Sequence, residues 1–122
     1  HSMPHEAILN ACSEFHTSQV VLGDRYGATC SPEIINYLTK LISKNGLHAS
    51  RNIPFSGAYI VQKYGSPGVN RHAIQLEIDR SIYMDESKIQ KSEQFIKLKN
   101  KLRNILKDFS QTHTGITSIA AE

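Results

Sequence analysis

Glu77 is the residue with the clearest chemical potential. It stands in an alternating stretch, His72 to Asp79, in which Ile74, Leu76 and Ile78 point one way and Gln75, Glu77 and Asp79 the other. A carboxylate in such a strand either faces water on an antiparallel sheet or projects into a cleft as a general acid or base. If it is buried, it must be paired, close to a metal or protonated, because burying a bare charge is very costly. The segment Asn52 to Asn70, with Tyr59, Tyr64 and three glycines, would wall that cleft. Arg25 and Arg80 sit at expected strand ends, where each is either a bidentate carboxylate clamp or a solvated surface group. His1, His5, Cys12 and His16 are zinc-type side chains, but their spacing matches no compact finger. The lysines between Lys91 and Lys107 read as the wet side of an amphipathic helix. No interleaved aromatics support nucleic-acid stacking there.

The elements that must position these groups can be read from pattern. Ala7, Ile8, Ala11 and Phe15 recur at helical spacing. Gln19 to Leu22 is a buried strand ending at Gly23, and Gly23 to Gly27 is a loop at its carboxyl end. Ser31, Pro32 and Glu33 open a helix, with Ser31 expected to cap free amides. Ile34, Ile35, Leu38, Leu41 and Ile42 give that helix its apolar face, and Gly46 stops it. Leu47 to Asn52 is a second strand, and Asn52 to Asn70 is an ordered loop. From about Asp85 the pattern is helical, with a stripe of Phe95, Leu98, Leu102, Ile105, Leu106 and Phe109. Residues 111–122 are expected to fray. Strand, helix, strand, loop, strand, helix implies an α/β fold with at least partly parallel pairing.

Composition narrows the class. At 122 residues the chain is one domain or part of one. Apolar residues make up 39% and the net charge is +3, which excludes a wholly disordered chain and argues only weakly for a polyanionic partner. No run approaches the roughly 18 apolar residues of a membrane span, and no signal pattern opens the chain. Two cysteines, Cys12 and Cys30, read as reduced thiols of a cytoplasmic protein. Residue 1 is His rather than Met, so the chain is expected to be processed or a fragment.

Several blocks in register resemble the N-formylglutamate amidohydrolase family. They are His-Ser-Met-Pro at 1–4, Val-Leu-Gly-Asp-Arg at 21–25, Asn-Ile-Pro-Phe-Ser-Gly-Ala-Tyr-Ile at 52–60, Tyr-Gly at 64–65, and the run from His72 to Glu86. The resemblance implies an incomplete, carboxypeptidase-like α/β domain with a mixed, partly parallel sheet flanked by helices. It implies zinc-dependent hydrolysis of N-formyl-L-glutamate to formate and glutamate, a step of histidine breakdown. His1 matches the histidine that ligates the metal, and Glu77 matches the carboxylate that activates water. Arg25, Asn52, Tyr59, Gln75 and Arg80 match positions near the substrate, as does Asp24. The sequence departs at Gly57-Ala58, where the family usually has two glycines.

Family members are considerably longer. Residues 1–122 are therefore expected to be the carboxyl-terminal part of a single domain, with the other zinc ligands upstream and the fragment alone inactive. The expected partner is a small N-acyl amino acid, with no nucleic acid and no membrane. Self-association or a missing upstream segment is expected at the cut edge. The alternatives are a hydrolase of another N-acyl amino acid, and an inactive split chain serving as a folding or interaction unit.

Overall fold

The computed structural model describes residues 1–11 and 18–112. In chain order the elements are β1 (Ser2–Met3), α1 (His5–Ala11), β2 (Val20–Gly23), α2 (Pro32–Lys44), β3 (Ala49–Arg51), α3 (Tyr59–Tyr64), β4 (Gln75–Asp79), β5 (Met84–Asp85), β6 (Gln90–Lys91) and α4 (Gln94–Thr112). Single 3-10 turns at Pro67–Val69 and Arg80–Ile82 flank β4.

Four strands form one mixed sheet in the order β1-β4-β2-β3. β1 runs parallel to β4, β4 antiparallel to β2, and β2 parallel to β3. Every residue of β2 is buried, as its unbroken apolar run requires of a central strand covered on both faces. Opposite residues share a face, so Val20 with Ile78 and Leu22 with Leu76 present one surface. That surface packs with Ile35, Leu38, Leu41 and Ile42 of α2 and with Leu98 and Ile105 of α4. Tyr37 stacks on Phe109 between the two helices, with ring centroids 6.1 Å apart. The opposite face carries Val21, Met3 and Ile8 of α1, a small second core. The sheet thus lies between helices, the α/β arrangement expected from the sequence.

Three local expectations are corrected. The helix expected from Asp85 begins at Gln94, because the hairpin β5–β6 intervenes. The Asp85 carboxylate accepts bonds from the Ser87 amide at 3.1 Å and the Ser87 hydroxyl at 2.6 Å, which turns the chain instead of continuing it. The segment from Asn52 to Asn70 is not all loop: Tyr59 to Tyr64 forms α3, and the Ile53–Pro54 peptide is cis. Ser31 occupies the N-cap position of α2 without capping an amide. Its hydroxyl goes instead to Glu33, whose carboxyl is held below the usual range chiefly by its own backbone N–H and then by that hydroxyl. Phe15 and residues 113–122 lie outside the described residues, whereas Gln111 and Thr112 are still helical. Among the described residues no helix is long and apolar enough to cross a membrane.

Candidate active site

The candidate site lies on one rim of the sheet. Antiparallel pairing of Gly23 with Gln75 sets the carboxyl end of β2 against the start of β4. Parallel pairing of Ser2 with Ile78 brings residue 1 beside Glu77. The His1 backbone nitrogen donates to the Leu76 carbonyl at 2.9 Å, and the Ile78 amide donates to the His1 carbonyl at 3.2 Å. Strand alternation turns Glu77 to the Val21 face, away from α2 and α4.

Glu77 is only 7% exposed, which settles against the reading of a carboxylate facing open water. Its charge is accommodated because Oε1 accepts two hydrogen bonds, from Gln75 Nε2 at 2.7 Å and from His1 Nδ1 at 3.1 Å. Gln75 in turn accepts the Ala58 amide on its own oxygen at 2.9 Å. The imidazole of His1 remains mostly exposed.

A second polar group holds the loops around this rim. Asp24 is fully buried at the end of β2. Its Oδ2 accepts Arg51 Nη2 at 2.8 Å, and its Oδ1 accepts Asn52 Nδ2 at 2.7 Å. Asn52 Oδ1 accepts the amides of Asp24 and Tyr26 at 3.0 and 3.4 Å. This supports a turn in which Arg25 and Tyr26 both adopt left-handed backbone angles, φ 50° and 56°. The turn then grips the next loop: the Arg25 amide donates to Ser56 O at 2.7 Å and Arg25 Nη1 to Gly57 O at 3.3 Å. Gly23 makes this approach feasible, since a Cβ there would sit 2.5 Å from the Gly57 nitrogen. Cys30 is also fully buried, and burial first, then the Asp24 charge, pushes its thiol up to about 11.

The structure therefore groups His1, Gln75 and Glu77 directly and ties Arg25 and Asn52 to them through loops. Tyr59 opens α3 beside that group and is largely exposed, with Lys63 Nζ 5.9 Å from its ring centroid. Arg80 is not brought to Glu77. It follows β4 on the Ile78 side, and its guanidinium reaches Ser2 Oγ and Ser2 O at 3.4 Å each. Asn52 engages the Asp24–Tyr26 turn through both ends of its amide. Sequence reasoning missed Arg51. A lone arginine at the end of a strand gives no sign that its partner is 27 residues away.

A metal cage is not completed by the described residues: no three His, Cys, Asp or Glu side chains are placed to hold an ion. His1 fits as one imidazole ligand beside a carboxylate, whereas a catalytic zinc takes three protein ligands. The set His1, His5, Cys12 and His16 is not assembled by what is described. His5 Nδ1 binds Asp79 at 2.8 Å, His1 binds Glu77, and Cys12 and His16 lie outside the described residues. On the other face of the sheet, an apolar groove of about 560 Å³ runs between β1 and α4, lined by Ser2, Ile78, Tyr83, Leu98 and Leu102, with His1 at its end.

The mixed α/β sheet carries, in the middle of β4, a buried carboxylate that accepts two hydrogen bonds on one oxygen. The profile of the N-formylglutamate amidohydrolase family matches residues 1–84, and the chain belongs to that family. Two curated relatives, the N-formylglutamate deformylases of Pseudomonas putida and Pseudomonas aeruginosa, are each 36% identical over 67 and 66 residues. Those alignments cover 54% and 53% of this chain and 25% of each relative, so the chain matches about a quarter of their length. The crystal structure of N-formylglutamate amidohydrolase from Ralstonia eutropha superposes with a TM-score of 0.84 at 31% identity. That match covers 95% of this chain and 42% of the other.

Proposed function

We propose that the protein from which this chain comes hydrolyses the formyl amide of N-formyl-L-glutamate to formate and glutamate. The observation that carries this reading is Glu77, a buried carboxylate held on one oxygen at the rim of the sheet, within the residues matched by the family. The names of the two curated relatives support the substrate class.

In this mechanism Glu77 takes a proton from the attacking water and later delivers it to the leaving amine. The carbon–nitrogen bond breaks, water supplies the hydroxyl of formic acid, and the amine leaves protonated. Arg25 and Tyr59, on the loops facing this rim, are the groups we assign to the substrate's carboxylates and stem. Asn52 holds those loops in place. Arg80, on the opposite face, serves substrate only if its contact with Ser2 opens. His1 is the side chain that would hold zinc, which when bound would polarise the formyl carbonyl and acidify its water. The remaining ligands would come from outside the described residues. We propose that this reaction belongs to histidine breakdown and runs in the cytoplasm; the free, buried thiol of Cys30 supports only the second.

We also infer an association at the β1 edge of the sheet. Among the described residues β1 pairs on one side only, and the apolar groove beside it is where further polypeptide would pack.

The test is formate release by the full-length protein. Glu77→Gln keeps the acceptor oxygen and removes the base, and is expected to lower kcat by about 10²-fold or more. A loss of less than about tenfold would remove Glu77 from this role.

A further inference from the structure

We infer that Gln75 is a positioning residue that fixes which oxygen of Glu77 works as the base, and that its own amide is held by the loop that carries Ala58. This rests on the reading of Glu77 as the base.

The orientation of the Gln75 amide follows from chemistry. The Ala58 backbone N–H can only donate, so the Gln75 oxygen must face it. The Gln75 nitrogen is then turned to Glu77, 2.7 Å from Oε1. His1 Nδ1 reaches the same Oε1 at 3.1 Å. Two donors thus occupy one oxygen of the carboxylate. Among the described residues no donor is placed on Oε2. A carboxylate tethered on one oxygen, with no described donor on the other, is already aimed. The tethered oxygen fixes the rotamer, and the other accepts the proton.

The tie also has a reach. Ala58 is the N-cap of α3, and the preceding Gly57 accepts Arg25 Nη1 and lies against Gly23. Gln75 is therefore the link between the loop that faces substrate and the group that performs the chemistry. Both polar ends of its side chain are used within the protein, so it aligns the base rather than gripping substrate.

Two variants separate the roles. Gln75→Met keeps the size and removes both bonds. Gln75→Glu keeps an acceptor for Ala58 but cannot donate to Glu77 when ionised. Both are expected to lower kcat about 10- to 100-fold, the range for partners that orient a reacting group. Gln75→Met should leave KM within about threefold, since no substrate contact is lost. Backbone amide exchange of Ala58 should be slow in the parent protein and in Gln75→Glu, and fast in Gln75→Met. Recovery of the parent kcat by Gln75→Glu would reduce Gln75 to a loop anchor and overturn the inference. So would a large rise in KM at unchanged kcat in Gln75→Met, or Ala58 exchange that ignores the substitution. Absence of formate release from the parent protein would instead refute the proposed function, and the exchange pattern would still judge the tie.

Discussion

Replacing Gly23 with alanine tests the packing that joins the two loops of the site. The backbone of Gly23 has no positive φ, so alanine can adopt it and any effect must be steric. The added Cβ would stand 2.5 Å from Gly57 N, 2.7 Å from Ser56 C and 2.9 Å from Gly57 Cα. All three are backbone atoms, and non-bonded heavy atoms prefer roughly 3.5 Å, so the 56–58 loop must retreat by about 1 Å. That retreat stretches the 2.7 Å bond from the Arg25 amide to Ser56 O and the 2.9 Å bond from the Ala58 amide to Gln75 beyond useful length. At about 1 kcal/mol each, the two bonds account for about 2 kcal/mol. Residual overpacking raises the expected loss to about 3 kcal/mol. A displacement of this size next to a reacting group is also worth about 10²-fold in rate. The assay is urea denaturation, read as a lower midpoint at unchanged slope, with formate release measured in parallel. Gly27→Ala is the control: nothing lies within 4 Å of its added Cβ, but its φ is +88°. It should cost about 1 kcal/mol through backbone strain and leave the rate alone. If Gly23→Ala were as stable as the parent within about 0.5 kcal/mol, the close approach of the two loops would be wrong.

Arg51→Ala removes the cation from a carboxylate that is fully buried, while the arginine itself is 39% exposed. The pair thus lies between a surface bridge and a buried one, and the expected loss of stability is about 2 kcal/mol, readable in the same urea titration. A change under about 0.5 kcal/mol would mean that Asp24 rests on Asn52 alone. The Cys30 thiol, raised on folding from 9.0 to about 11, makes stability depend on alkaline pH. The folded state holds this proton more tightly than the unfolded one. The contribution is complete below pH 9.0 and is lost as pH rises through about 11, amounting to about 3 kcal/mol. Cys30→Ala should remove that part of the alkaline decline, and an unchanged decline would contradict it. The parent thiol should also resist thiol reagents at neutral pH until the protein unfolds.

Much of this protein is determined locally and can be read from the chain alone. The apolar run Val20 to Leu22 has to be a central strand, because only burial on both faces suits three consecutive branched side chains. The stripe in α2, bounded by Pro32 and Gly46, has to lie on a sheet. The alternation from Ile74 to Asp79 is enough to put the carboxylates of Glu77 and Asp79 on one face. The break before α4 was harder to read, because a single Asp85 side chain, by bonding Ser87, turns a segment that otherwise carries helical residues.

What only the tertiary structure decided is which polar groups meet. Arg51 and Asp24 are 27 residues apart, Ala58 and Gln75 are 17 apart, and His1 and Glu77 are 76 apart. Sequence spacing carries no information at such separations, because the register of β1, β2 and β3 against their neighbours sets those distances. Alternation could say that Glu77 and Arg80 differ in phase. Only the pairing of Ser2 with Ile78 showed that Arg80 reaches Ser2 on the far face of the sheet, while His1 turns back to Glu77. The chemistry-bearing residue types are thus a property of the sequence. Their convergence on one oxygen of Glu77 belongs to the fold, because hydrogen bonds form only where strand register has already paid the entropy of bringing distant chain segments together.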